Sequence, residues 1–174
     1  MTQTPVEPEA IVRRLDPEDA QLALAKVQDL LHRHEVVENL AHRQEGGDQR
    51  AELVESLIQR QHEAELSALV NDLHPADIAF ILGSLPKNER QLIWRLVSAE
   101  YDADVLLEVD DWVRESLIQA MDRQDLVAAT ENMDADELAD IAPDLPADVV
   151  AEVQKGLTDE ERARLIEAMG YPDD

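Results

Sequence analysis

The sequence predicts an all-α protein, most of it a solenoid of short helices. Three observations predict this. Large aliphatic residues return every twelve positions, at Leu73, Leu85, Val97, Val109, Met121, Met133, Leu145, Leu157 and Met169, without a miss. A second apolar column runs eight positions after each, through Ile81, Ile93, Val105, Leu117, Ala129, Ile141, Val153 and Leu165. No segment alternates apolar and polar residues long enough to form a strand. A fixed period is the mark of a repeat array. A spacing of eight is about two helical turns plus a residue, so both columns fit one stripe of a short helix. A helix of eight or nine residues is marginal in water on its own, so the units, about 12 residues each, are expected to stack as antiparallel pairs.

Taken in order, residues 1–10 hold prolines and acids and read as a disordered tail. Residues 11–45 read as one long helix, with Asp16 as its cap and Pro17 in its first turn. Leu24, Val27 and Leu31, with Leu30, Val37 and Leu40, recur at helical spacings along it, and this apolar side is expected to pack on the solenoid or on another copy. Gly46 and Gly47 break the helix. Residues 48–174 read as the solenoid, entered through a second helical region from Asp48 to Asp72.

The residues that follow each beat supply the helix starts. Ser98, Asp110, Asp122, Asp134 and Thr158 are N-cap types, and Asp134 with Glu137 and Thr158 with Glu161 fit capping boxes. Pro75, Pro86 and Pro146 stand at or near helix starts, where a missing N–H costs little. Gly156 suits a helix end, and Pro143 should shorten the helix begun at Asp134.

Composition narrows the function. With 174 residues the chain can bury roughly two thirds of its unfolded surface, enough for a continuous core. It has no cysteine, which excludes disulfides and thiolate metal sites and fits a reducing cytoplasm. Its start, MTQTPVEPEAIVRR, carries acids and prolines where a signal peptide needs a basic flank and an apolar run, and no stretch approaches the roughly 18 apolar residues of a membrane span. A soluble domain without direct membrane insertion is expected.

The net charge is −25, from 15 basic and 40 acidic residues. Between Glu100 and Glu152 there are 17 acids and only Arg114 and Arg123. Nucleic acid binding, which depends on lysine and arginine replacing phosphate counterions, is disfavoured. Cations and basic partners are the natural complements.

Enzyme chemistry finds no foothold in the motifs. His34, Glu35 and Glu38 stand in HEVVE, which lacks the second histidine that a zinc-binding HExxH needs, and a solvated helix surface accounts for them. No GxSxG, Gly-rich phosphate loop or Ser/His/Asp arrangement is present. Trp94 falls on the core stripe, whereas Trp112 lies off it and is a candidate contact residue. The segment MDADELADIAP places Asp136 and Asp140 one turn apart on one face. Their mutual repulsion in water, about 0.7 kcal/mol at 6 Å, is easily carried.

The segments LHPADIAFILGSLP, VSAEYDADVLLEVD, MDADELADIAPDLP and LTDEERARLIEAMGYPDD resemble the cytosolic N domain of MgtE-type magnesium transporters over about Leu53 to Asp174. The resemblance implies a right-handed superhelix of short helices, followed in the family by a pair of CBS domains, a plug helix and a membrane pore. It implies a regulatory domain at the inner face of the cell membrane that binds Mg2+ together with the CBS pair to close the pore. The family's metal-facing acids fall on Asp104, Asp136 and Asp140, and Asp104 and Asp140 both stand seven after a beat. A homodimer through the full-length protein is also implied. The chain ends at YPDD, where family members continue, and residues 1–50 exceed the family pattern. LHPADIAFILGSLP is similar as well to the middle domain of the flagellar rotor protein FliG, which would make the module a protein-binding scaffold.

Overall fold

The computed structural model describes residues 12–43 and 49–170, and every regular element among them is helical. The expected tail over residues 1–10 lies outside the described residues. Helix α1 (Pro17–Arg43) packs along α2 (Gln49–Asn71). Eight short helices follow: α3 (Pro75–Ser84), α4 (Lys87–Leu96), α5 (Asp102–Glu108), α6 (Asp111–Ala120), α7 (Arg123–Thr130), α8 (Ala135–Ile141), α9 (Ala147–Lys155) and α10 (Asp159–Gly170). Short 3-10 turns precede α5, at Ala99–Tyr101, and follow α8, at Ala142–Asp144. The second of these contains Pro143, which ends α8 after two turns as its ring requires.

The long N-terminal helix begins at Pro17, not at residue 11. Asp16 stops it from extending backwards, because its Oδ1 accepts the backbone N–H of Asp19 at 2.9 Å. The preceding residue, Leu15, is fastened instead to the solenoid, its N–H donating to Oδ2 of Asp77 at 2.8 Å. Asp77 is buried, so the acid in LHPADIA has a structural duty. Ala20, Ala23, Leu24, Val27 and Leu31 form the buried side of α1. Nor does the solenoid begin at residue 48: α2 is a 23-residue helix paired with α1, and the short units start at α3.

The two apolar columns behave differently. Residues eight after the beat lie in the core, all but the half-buried Val153 being buried, with Ile93, Val105, Leu117 and Ile141 fully so. The beat residues do not share their helical stripe. Leu85 (φ −98°, ψ 149°), Val97 (φ −66°, ψ 133°), Val109 (φ −76°, ψ 156°) and Met121 (φ −89°, ψ 146°) are extended residues that close one helix. An N-cap residue in the β region comes next at Ser98, Asp110 and Asp122, so the chain turns back within two residues. The beat therefore marks the corners of the array, plugged by aliphatic side chains. Met169 is exposed on α10, the last helix among the described residues.

Because each corner reverses the chain, helices pack on those two places further along: α2 on α4, α3 on α5, α4 on α6, α5 on α7, α7 on α9 and α8 on α10. The spatial repeat is thus a helix pair of about 24 residues in two layers, a solenoid built from twelve-residue halves.

Extended corners leave a debt of hydrogen bonds, since they exclude the left-handed glycine closure that usually satisfies the last carbonyls of a helix. Arginines supply the donors. Arg90 donates from Nε to Leu82 O at 2.8 Å and from an Nη to Leu85 O at 2.9 Å. Arg114 donates to Leu106 O at 2.7 Å and reaches Val109 O at 3.5 Å, and Arg162 donates to Gln154 O at 2.9 Å. All three stand five after a beat, separated by 24 and 48 positions. Each guanidinium reaches back from its own helix to the end of the previous one. Arg114→Ala should cost about 2–3 kcal/mol in chemical denaturation, because it orphans buried carbonyls, while the exposed Arg164→Ala stays within about 0.5 kcal/mol.

Candidate functional site

Asp104 belongs to the first turn of α5 and Asp136 to the first turn of α8, where the helix dipole favours negative charge. Asp140 lies one turn after Asp136. Helices α5 and α8 pack against each other, and all three aspartates are exposed. Their units are three apart, so Asp104 lies in one layer of the solenoid and the pair on α8 in the other.

Glu137, between the two α8 aspartates, is occupied. Its N–H donates to Oδ1 of Asp134 at 2.9 Å while its Oε2 accepts the N–H of Asp134 at 3.0 Å, which closes the capping box read from the sequence. Asp136 and Asp140 remain. None of the ion pairs among the described residues involves them or Asp104. Both basic residues of the acidic stretch are engaged elsewhere: Arg114 faces Asp111 and Asp144 at 3.2 and 3.6 Å, and Arg123 faces Asp148 and Glu152 at 3.5 and 3.8 Å. Among the described residues, no three histidine, aspartate or glutamate side chains converge closely enough to hold a metal ion by themselves. Asp104 on α5 and Asp136 and Asp140 on α8 are open to solvent.

The strongest perturbation is at Asp102, two residues before Asp104. Burial, and secondarily the charge of Asp125, raise its pKa from 3.8 to about 7. Both carboxylates line a cleft of about 230 Å³ with Trp94, Arg95 and Met121. Sequence reasoning missed Asp102, although a signal existed. It stands five after the beat at Val97, the inward slot occupied by Arg90, Leu126 and Leu138 in other units.

The remaining candidates divide. Trp94 is core, as its stripe position implied. Trp112 is exposed, and its ring carries the guanidinium of Arg90 at 4.7 Å from the ring centre, so it shields that arginine on its outer side. His34 is not on a solvated surface as expected. It is half-buried between α1 and α2, its ring 6.4 Å from that of His62 in an edge-on arrangement, while Glu35 and Glu38 are exposed.

The family model for the MgtE intracellular N domain matches residues 73–174. The chain belongs to that family. The matched segment begins at the first beat residue, so the N domain coincides with the short-helix array, and α1 and α2 precede it. A solved structure described as the soluble part of a magnesium transporter is similar at 20% sequence identity and a TM-score of 0.48, over 70% of this chain and 48% of that one. The chain thus spans about half the length of that protein. No curated protein sequence matches the chain. Among the described residues, no helix of this N domain is long and apolar enough to cross a membrane.

The Asp102 carboxyl predicts a pH dependence. Its folded-state pKa is raised, so between about 4 and 7 the folded protein holds a proton that the unfolded chain has released, and stability falls as pH rises through that window. Asp102→Asn should be more stable than the parent at pH 8, on the order of 1 kcal/mol once the shift is discounted for solvent screening, and close to it at pH 4. Denaturation at both pH values is the check. An advantage of the same size at both would contradict this.

Proposed function

We propose that this N domain is the magnesium-sensing regulatory domain of a magnesium transporter, working at the inner face of the cell membrane. Membership of the MgtE intracellular N domain family over residues 73–174 carries the reading. In it, Asp104, Asp136 and Asp140 supply one half of a weak Mg2+ site, and a CBS domain pair of the same transporter supplies the other half.

The chemistry of the face supports this. Mg2+ takes oxygen ligands, demands octahedral geometry and gives up water reluctantly, so exposed carboxylates acting through retained waters suit it. A site with no third converging ligand binds weakly alone. That weakness is useful in a sensor, because an ion completed by a second domain stabilises only the docked form, by RT ln(1 + [L]/Kd), about 1.4 kcal/mol at ten times Kd. Several such ions are needed to switch a pore sharply.

Mg2+ titration of the chain at constant ionic strength, followed by backbone amide shifts and by thermal unfolding, tests the site. Shifts should concentrate in the first turns of α5 and α8, and the melting temperature should rise modestly. Replacing Asp104, Asp136 and Asp140 with Ala should change stability in metal-free buffer by less than about 0.5 kcal/mol, because the three are exposed, and should reduce the response to Mg2+. The control replaces Glu18, Glu160 and Glu167, exposed acids outside the recorded ion pairs. In a transporter carrying this domain, only the first variant should lose Mg2+-dependent closure. Equal responses in the two variants would reduce the three aspartates to a solvated face.

A further inference from the structure

Among the described residues, the buried side-chain nitrogen and oxygen atoms that lack a hydrogen-bond partner are two, Nδ1 of His34 on α1 and Nδ1 of His62 on α2. They belong to one place, because the two rings stand edge-on with their centres 6.4 Å apart. By contrast, Nδ1 of His74 accepts the N–H of Ala76 at 3.1 Å. An orphaned buried nitrogen bears its full desolvation cost, and two of them on neighbouring side chains point to a shared occupant.

Chemistry and charge indicate an ion. A neutral imidazole carries one N–H and one lone pair, and a lone pair at Nδ1 needs either a donor or a cation. Imidazole nitrogen is the ligand that borderline divalent cations such as Zn2+ take, whereas Mg2+ takes oxygen. His34 also lines a cleft of about 480 Å³ between α1 and α4, with Glu35, Glu38, Glu89 and Arg95. Three carboxylates against one guanidinium draw cations to this cleft, and it gives an ion a way in from solvent. Glu38 stands one turn after His34, where an HExxH motif carries its second histidine. Here the second imidazole comes from α2 instead.

We propose that His34 and His62 form a site for a divalent transition-metal ion of the Zn2+ class, bound between the two helices that precede the matched family segment, with water and the exposed Glu38 completing its coordination. No third ligand is already converged on the pair, so the ion draws Glu38 in. A tetrahedral ion about 2.0–2.1 Å from two imidazole nitrogens sets the ring centres roughly 5 to 6 Å apart, a closure that small side-chain rotations supply. The site is independent of the carboxylate face, and an ion in it ties α1 to α2.

The test is a Zn2+ titration of the tag-free, metal-stripped 174-residue chain in millimolar Mg2+, followed by calorimetry, by thermal unfolding and by 1H–15N spectra of the histidine rings. One equivalent should bind with Mg2+ present, move the Nδ1 resonances of His34 and His62, and raise the melting temperature. His34→Gln and His62→Gln should each weaken binding by ~10-fold or more with helical content retained, while His32→Gln, at an exposed histidine of the same helix, should stay within about 2-fold of the parent. Ring resonances that do not move, as expected if a water bridges the pair instead of an ion, overturn the proposal. So does Zn2+ binding that either glutamine variant leaves intact, or that Mg2+ displaces, which would assign the ion to the acidic face.

Discussion

The structure depends on one constraint: a helix of seven to twelve residues can neither bury its apolar stripe nor satisfy its last carbonyls alone. Each short helix after α2 is completed by its neighbours. The stripe is covered by the helices two places before and after, and at three corners the carbonyls are covered by an arginine from the next helix. The corner at Met133 has Leu138 in the arginine slot, and there the capping box of Asp134 and Glu137 holds the following helix start. A defect in one corner is therefore felt by the next helix as well as its own, since the donors and the carbonyls they serve belong to consecutive elements.

This arrangement also shapes the charge of the surface. In a chain so poor in bases, drawing Arg90 and Arg114 into corner hydrogen bonds removes cations from the exterior. Acids that cap helices are partly engaged by backbone N–H groups, as at Asp122 and Asp134. What remains exposed and unpaired includes Asp104, Asp136 and Asp140. The acidic face and the corner arginines thus have a common cause.

Much of the fold was legible because capping chemistry and repeat register are local. The starts at Asp16, Asp122, Asp134 and Thr158 are set by side chains that bond to N–H groups three residues away. Pro143 and Gly156 end helices where expected. The misreadings share a physical origin. A period of twelve reveals which residues are equivalent but not whether they lie on a helix or between two, so the beat residues were assigned to a stripe instead of to corners. It also conceals that alternate units run in opposite directions, which puts Asp104 in one layer and Asp140 in the other. His34 looked solvated because its partner, His62, lies 28 positions away on another helix.

The sequence by itself determined the all-α class, the helix starts, the period of the array and the excess of acid, each a property of residues within a turn or two of one another. The tertiary structure decided which acids are free. Glu137 and Asp136 are adjacent and chemically alike, yet one closes a capping box while the other faces water. Packing decided that Asp102 is half-buried near Asp125, 23 positions away and on another helix, while Asp104 is exposed. Packing also left Leu53, Val54 and Leu57, in the first half of α2, exposed, while Leu66 and Val70 in its second half are buried. Burial and the approach of charges depend on elements distant in the chain, and a pattern read along one helix carries no term for them.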